Sequence, residues 1–285
     1  MKKITLSLLL WSLLISSASA EVTIAASIKP LALISTAIVG DRGNVLALVD
    51  AQQSPHDYSM KPSDRIAIER ADILVWVSPT FEVYLADVFI EQSKAKPLVT
   101  FAELSSIKLA HETSGELDPH LWLDSNNAII LARAIAGKAG DLDSANAEYF
   151  RANFEIFRES VNAESLKIAA ELASETRNSY AVYHNAYHYF EDQFGLSHAI
   201  VLLRNSELQP NIQEIIRVRN SVQKSKPACL MVDTDSNAAI ISTMLNGYMV
   251  AQPVVDVIGN SIPMNNAGYI SLLENIAAKF KECIY

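Results

Sequence analysis

Three of the chain's six histidines stand where an imidazole is well placed to bind something. His56 sits in the turn-rich stretch "SPHDYSMKPSD", after a strand-like run at 45–49; His120 sits in "DPHLWLD", ahead of a helix expected near Asn126; His184 directly follows the strand-like "SYAVY". In open α/β sheets ligands collect outside the carboxyl ends of strands, so the three positions can share one crevice. Neutral imidazole is the commonest zinc ligand, and three of them leave one position of a tetrahedron to a carboxylate or a water. Asp256, in "VVDVIGN" at the end of the last expected strand, is the candidate for it, with Asp233 and Asp235 in "VDTDS" as competitors. A lone loop histidine is more often solvated than ligating, and the even 64-residue spacing is no local zinc motif. The chemistry therefore depends on the fold that gathers these residues.

Competing chemistries find less support. His184 and His188 are four residues apart, as in zinc proteases, but Asn185 stands where that motif carries its glutamate base. The chain has no G-x-S-x-G elbow and no glycine-rich phosphate loop, so it reads as a binding protein, not an enzyme. Trp76 and Trp122 read as packing residues. Asp118 or Asp124 is placed to hold the second nitrogen of a ligand histidine, unless it merely caps or solvates its loop. Three imidazoles suit zinc, copper or nickel, whereas manganese prefers more carboxylate.

The elements that must position these groups can also be read. Residues 1–20, "MKKITLSLLLWSLLISSASA", combine two lysines, a short apolar run and an A-x-A end: a secretory signal peptide, so the mature protein is expected outside the cytoplasm. No later segment is long and apolar enough for a membrane span. Losing Lys2 and Lys3 takes the formal charge from -9 to -11, which disfavours nucleic acid or anionic lipid as partner and suits a cation, although such charge also simply keeps an exported protein soluble. Beta-branched runs at 22 ("VTIAAS"), 45 ("VLALV"), 71 ("ADILVWV") and 97 ("PLVTF") alternate with helical patterns, and "SYAVY", "HAIVLL", "ACLMVD" and "PVVDVIG" repeat the plan. The fold class is therefore α/β, with two lobes, 21–143 and 178–285, built on mainly parallel sheets. Between them, residues 144–177 lack Gly and Pro and space Ala147, Phe150, Phe154, Phe157 and Val161 along one helix face. That predicts a linker helix of roughly 50 Å, capped by Ser144, or two shorter helices broken near Asn162. Cys229 and Cys283 form an even pair in an exported chain, which favours a disulfide over two buried thiols.

"SPHDYSMKPSD" with "ADILVWV", then "DPHLWLD", "YHNAYHYFEDQFGL", "LQPN" and "ACLMVD", in that order, resemble the signatures of the zinc-binding solute-binding proteins of bacterial ABC importers, the ZnuA type. The resemblance covers nearly all of the mature chain. It implies two α/β lobes bridged by a long rigid helix and one Zn2+ carried in the cleft between them. The carrier would be a monomer that delivers to an inner-membrane permease with a cytoplasmic ATPase. It further implies His56, His120 and His184 as ligands, Asp256 as the aspartate that completes the site in some relatives, and a Cys229–Cys283 bridge. An exported zinc chaperone, or a carrier of Mn, Cu or Ni, is the alternative, with a metallohydrolase third. Two departures stand out: the segment from Ala102 to Leu117 is short and holds only His111, where many zinc-type members have a His-rich loop, and His188 is added.

Overall fold

A computed structural model describes residues 21–49, 58–112, 114–173, 178–204 and 209–285. The leader and His56 lie outside the described residues. The first half runs β1 (Val22–Ala26), α1 (Lys29–Val39), β2 (Gly43–Ala47), α2 (Pro62–Arg70), β3 (Ile73–Trp76), α3 (Val83–Gln92), β4 (Leu98–Thr100) and α4 (Ser125–Leu142). Helix α5 (Ala147–Leu172) follows. The second half runs β5 (Tyr180–His184), α6 (His188–Phe194), β6 (Ile200–Leu203), α7 (Ile212–Ser225), β7 (Cys229–Asp233), α8 (Ala238–Leu245), β8 (Val254–Val255) and α9 (Gly268–Ile284).

All eight expected strands form, every pairing is parallel, and the two sheets share one plan, β2-β1-β3-β4 and β6-β5-β7-β8. The strands read as unbroken apolar runs because both faces are covered. Successive side chains point to opposite faces. Ile73 and Val75 of β3 enter a central core, while Leu74 and Trp76 enter a separate cluster with Ile68, Leu85 and Phe89. In β5 and β7, Tyr180, Val182, Cys229 and Met231 likewise face the central core, whereas Ala181, Tyr183, Leu230 and Val232 meet Val218, Val222 and Met244. In such a doubly wound sheet the order reverses between β1 and β3, and again between β5 and β7, and a crevice opens at each reversal.

The central core does not stop at the lobe boundary. It runs from Ile24 and Val75 through Leu31 and Ile34 of α1 and Phe150, Phe154 and Phe157 of α5 to Leu272, Leu273 and Phe280 of α9. Helix α5 is continuous through Asn162, so the two-helix alternative does not hold. It spans 26 residues, about 39 Å, and packs on α1, α4 and α9. It begins later than expected: Asn146, not Ser144, stands at its N-cap, because the Asp143 carboxylate that ends α4 accepts from the Asn146 backbone N–H (3.3 Å) and side-chain amide (2.6 Å) and shapes the corner. Ala173 is already outside the helix, and 174–177 lie outside the described residues. Cys229, at the start of β7, is joined to Cys283, in the last turn of α9, by a disulfide with Cα atoms 5.6 Å apart. No described helix is long and apolar enough to cross a membrane.

Candidate metal centre

His184 is the last residue of β5 and Asp233 the last of the adjacent strand β7, so the reversal point of the second sheet sets them side by side. The His184 ring nitrogen Nδ1 lies 2.5 Å from Asp233 Oδ2, and Oδ1 of the same buried carboxylate accepts from the Tyr187 hydroxyl at 3.1 Å. Asp233, a competitor of Asp256 for the metal by its place in the sequence, is here the residue that aims His184. His120 is treated the same way from the other lobe. The Asp118 Oδ1 atom accepts from the His120 backbone N–H (3.0 Å) and lies 2.8 Å from its Nδ1. Of the two aspartates in "DPHLWLD", Asp118 therefore holds the imidazole, and Asp124 caps α4 by accepting from the amides of Asn126 and Asn127.

A carboxylate only accepts, so the ring nitrogen that faces it carries the proton and the lone pair of each imidazole sits on Nε2. The two ring centres are 5.5 Å apart. Two imidazoles on one tetrahedral ion keep their nitrogens roughly 3.3 Å apart and their ring centres about 5 to 6 Å apart, so the pair is spaced for a shared cation. Buried negative charge backs it from both sides. Burial alone would lower the His184 pKa, but the Asp233 carboxylate, its hydrogen bond and the more distant Asp235 and Asp118 outweigh that and raise it above the ordinary imidazole value. The same field draws a divalent cation. Asp118 Oδ2 is buried and, among the described residues, has no hydrogen-bond partner, which adds negative charge beside the rings.

Asp256 reaches this neighbourhood through the chain next to it. Trp122, two residues after His120 and 5.3 Å from its ring, donates its indole N–H to the Val257 carbonyl at 2.9 Å, and the Tyr269 hydroxyl donates to the Trp122 carbonyl at 2.7 Å. The half-buried Asp256 carboxylate accepts from the Asn260 amide (2.8 Å), the Ser261 amide (2.9 Å) and the Ser261 hydroxyl (2.9 Å), which leaves it acceptor capacity for more. Asp235 is exposed. Among the described residues, no group of three or more His, Cys, Asp or Glu side chains surrounds a single point; His56 lies outside them.

The remaining histidines separate from the site. His188 opens α6 while His184 closes β5, so the two do not share a helix face and the protease spacing is accidental. His198 is held by the buried Glu191 carboxylate (2.9 and 2.8 Å), and His111 is exposed on a short hairpin.

One group was not singled out from the sequence. Glu82 is fully buried at the reversal point of the first sheet, where it accepts from the Ser27 hydroxyl after β1 (2.5 Å) and the Val77 and Ser78 amides after β3 (2.9 Å each). It ties the same two strand ends that His184 and Asp233 tie in the other lobe. Its position just past the apolar "ILVWV" was the available signal. Burial pushes its pKa up to about 7 against those hydrogen bonds. A carboxyl raised in the folded state stabilises it most below the unfolded value, and the contribution is lost as pH climbs through the folded one. The window here runs from about 4.5 to about 7. Glu82→Gln, neutral at every pH, should match the parent in urea unfolding near pH 4.5 and gain on it by about 3 kcal/mol by pH 8. A constant difference across that range would show that Glu82 titrates normally.

A sequence model of the family described as "Zinc-uptake complex component A periplasmic" matches residues 24–283. The high-affinity zinc uptake system protein ZnuA of Brucella abortus is 27% identical to this chain, with 90% of each covered. The crystal structure of a ZnuA superposes with a TM-score of 0.81 at 19% identity, covering 93% of this chain and 99% of that one. The solute-binding protein FpvC of P. aeruginosa in complex with Ni2+ superposes with a TM-score of 0.76 at 19% identity, covering 92% and 98%.

Proposed function

The chain belongs to the family of zinc-uptake complex component A, and from that premise we propose that it is the exported carrier of a zinc importer. It takes one Zn2+ between its lobes and hands it to an inner-membrane ABC permease driven by a cytoplasmic ATPase. The protein is a transport binding protein and catalyses no reaction. In this reading it works as a monomer in the periplasm, with lobes 21–143 and 178–285 bridged by the helix between them. The observation that carries the proposal is the facing pair His120 and His184, drawn from different lobes and each backed by a buried carboxylate on Nδ1.

Nε2 of each of these rings, an imidazole nitrogen of His56 and the Asp256 carboxylate form the ligand set. His56 follows β2 in the sequence and Asp256 follows β8, so two ligands come from each lobe. The imidazole-rich set favours zinc over manganese; nickel shares that preference, and FpvC was crystallised with Ni2+. A second reading, a carrier of nickel or manganese, rests on that neighbour, whose complexes with Ni2+ and with Mn2+ both superpose on this chain.

The test is metal titration of mature protein purified without a His tag. Near neutral pH it should bind one Zn2+ per chain and prefer it to Mn2+ and Ni2+; preferential retention of either rival would overturn the choice of metal. Because each imidazole must be neutral to bind, zinc affinity should fall steeply from pH 7.5 to 5.5. With the His184 pKa raised, the fall should already be under way above the ordinary imidazole value of about 6.5. Asp256→Ala should weaken binding at every pH without flattening that slope. Unchanged affinity in the variant would leave a three-histidine site completed by water.

A further inference from the structure

The chain between β4 and His120 is tied to both lobes. Its start is pinned to α4, where the Lys108 amide donates to Asn127 Oδ1 (2.8 Å) and Asn127 Nδ2 donates to the Lys108 carbonyl (2.9 Å). It then doubles back as a short antiparallel hairpin: His111 bridges Leu117, the Glu112 amide donates to the Glu116 carbonyl (2.8 Å), and the Asp118 amide donates to the Ala110 carbonyl (3.0 Å). The base of this hairpin is Asp118 itself, the residue that holds His120. Further contacts go to the second lobe. Lys108 pairs with Asp192, the Ala110 amide donates to the Tyr189 hydroxyl (2.9 Å), and that hydroxyl donates to the Asp118 carbonyl (2.9 Å). Nearest the site, Asn185 Nδ2 donates to both oxygens of the Glu112 carboxylate (3.1 and 3.0 Å), and Asn185 directly follows His184.

We infer that Glu112 and Asn185 form a latch across the cleft, a pair of positioning residues that sets how long a bound divalent cation stays between His120 and His184. The inference rests on the reading of those two histidines as ligands. The pair joins the hairpin that carries the His120 support to the turn that carries His184, so the two rings cannot part until it breaks. It is half-buried, and a half-buried hydrogen bond to a charged acceptor contributes enough to slow opening several-fold. Encounter of a cation with the open cleft does not use the pair, so release should depend on it and capture should not. The hairpin thus acts on residence time.

The experiment mixes zinc-loaded protein with excess EDTA in a stopped-flow instrument and follows release from the parent, Glu112→Ala, Asn185→Ala, the double variant and Glu112→Gln. Each alanine variant should release zinc about fivefold faster, with the association rate changed less than twofold. The double variant should be no faster than either single, and Glu112→Gln, which keeps an acceptor for Asn185, should stay within twofold of the parent. Unchanged release, or single effects that multiply in the double, would overturn the latch. Amide hydrogen exchange on metal-free protein gives a readout that needs no zinc. The hairpin amides of Glu112 and Asp118 should exchange faster in Glu112→Ala than in Glu112→Gln, and equal rates would overturn the latch even if the parent bound no zinc. Failure of the parent to bind zinc would instead sink the reading of the site.

Discussion

His184→Ala should lower zinc affinity by at least a hundredfold in a competition titration against a chelator of known affinity, and His120→Ala should do the same. Loss of a partner that merely orients a metal-bound histidine costs about 10- to 100-fold, so loss of the ligand itself should exceed that. The two imidazoles come from different lobes and face each other at 5.5 Å, so neither can replace the other. His56→Ala belongs with them if the loop after β2 delivers its ring to the same ion. His111→Ala and His198→Ala are the controls: one side chain is exposed on the hairpin, and the other is engaged by Glu191. Asp233→Ala should fall between, since it leaves the ligand but removes what holds its Nδ1. Normal titration by His120→Ala or His184→Ala would refute the metal centre.

The second large effect is on stability. The Cys229–Cys283 bridge closes a loop across 54 residues, nearly all of the second sheet's later strands and α9. In the chain-entropy account such a cross-link contributes about 4 kcal/mol. In a domain of this size that corresponds to a melting temperature roughly 10 °C lower in the Cys229→Ser/Cys283→Ser variant. The bridge acts at a point that already resists fraying: Cys229 faces the central core, Cys283 lies in the last turn of α9, and the neighbouring Ile284 carbonyl accepts from the Asn178 amide at 3.0 Å just before β5. Thiol counting on the unreduced, denatured parent should find none. Two reactive thiols, or a variant that melts with the parent, would remove the bridge from the stability of the fold.

Much of the fold was legible because its signals are local. Doubly covered strands show as apolar runs, and all eight were readable, including "ILVW", whose four residues are all buried. The amphipathic face of α5 was likewise visible as Phe150, Phe154 and Phe157. Its start was not, because Ser144 and Asn146 are equally good caps by type, and the choice was made by the Asp143 carboxylate of the preceding corner. At the site, His120 and His184 could be picked by their places after Pro119 and after a strand. That Asp118 and not Asp124 would hold His120 depended on which carboxylate α4 needed as its cap. Asp233 was seen as a carboxylate near the site but not as the partner of His184, since that contact joins strands 49 residues apart. Glu82 was overlooked because its one signal, a place just past the apolar "ILVWV", fits an ordinary helix start equally well.

The apolar core that runs unbroken from β1 through α1 and α5 to α9 has a bearing on how a cargo protein is read by its recipient. Binding proteins whose halves are joined only by flexible strands signal loading by swinging shut, and a transporter can sense the change in outline. Here a swing would pull α5 from α9, which share one apolar core, and expose buried aromatic surface to water at a cost of roughly 25 cal/mol per Å2. Opening of the cleft is therefore local, at the hairpin and the turn that carry the two rings, with the shared core left whole. A docking partner that tells loaded from empty protein then has to read the described edge of the cleft, the hairpin around His111 and the turn at Asn185.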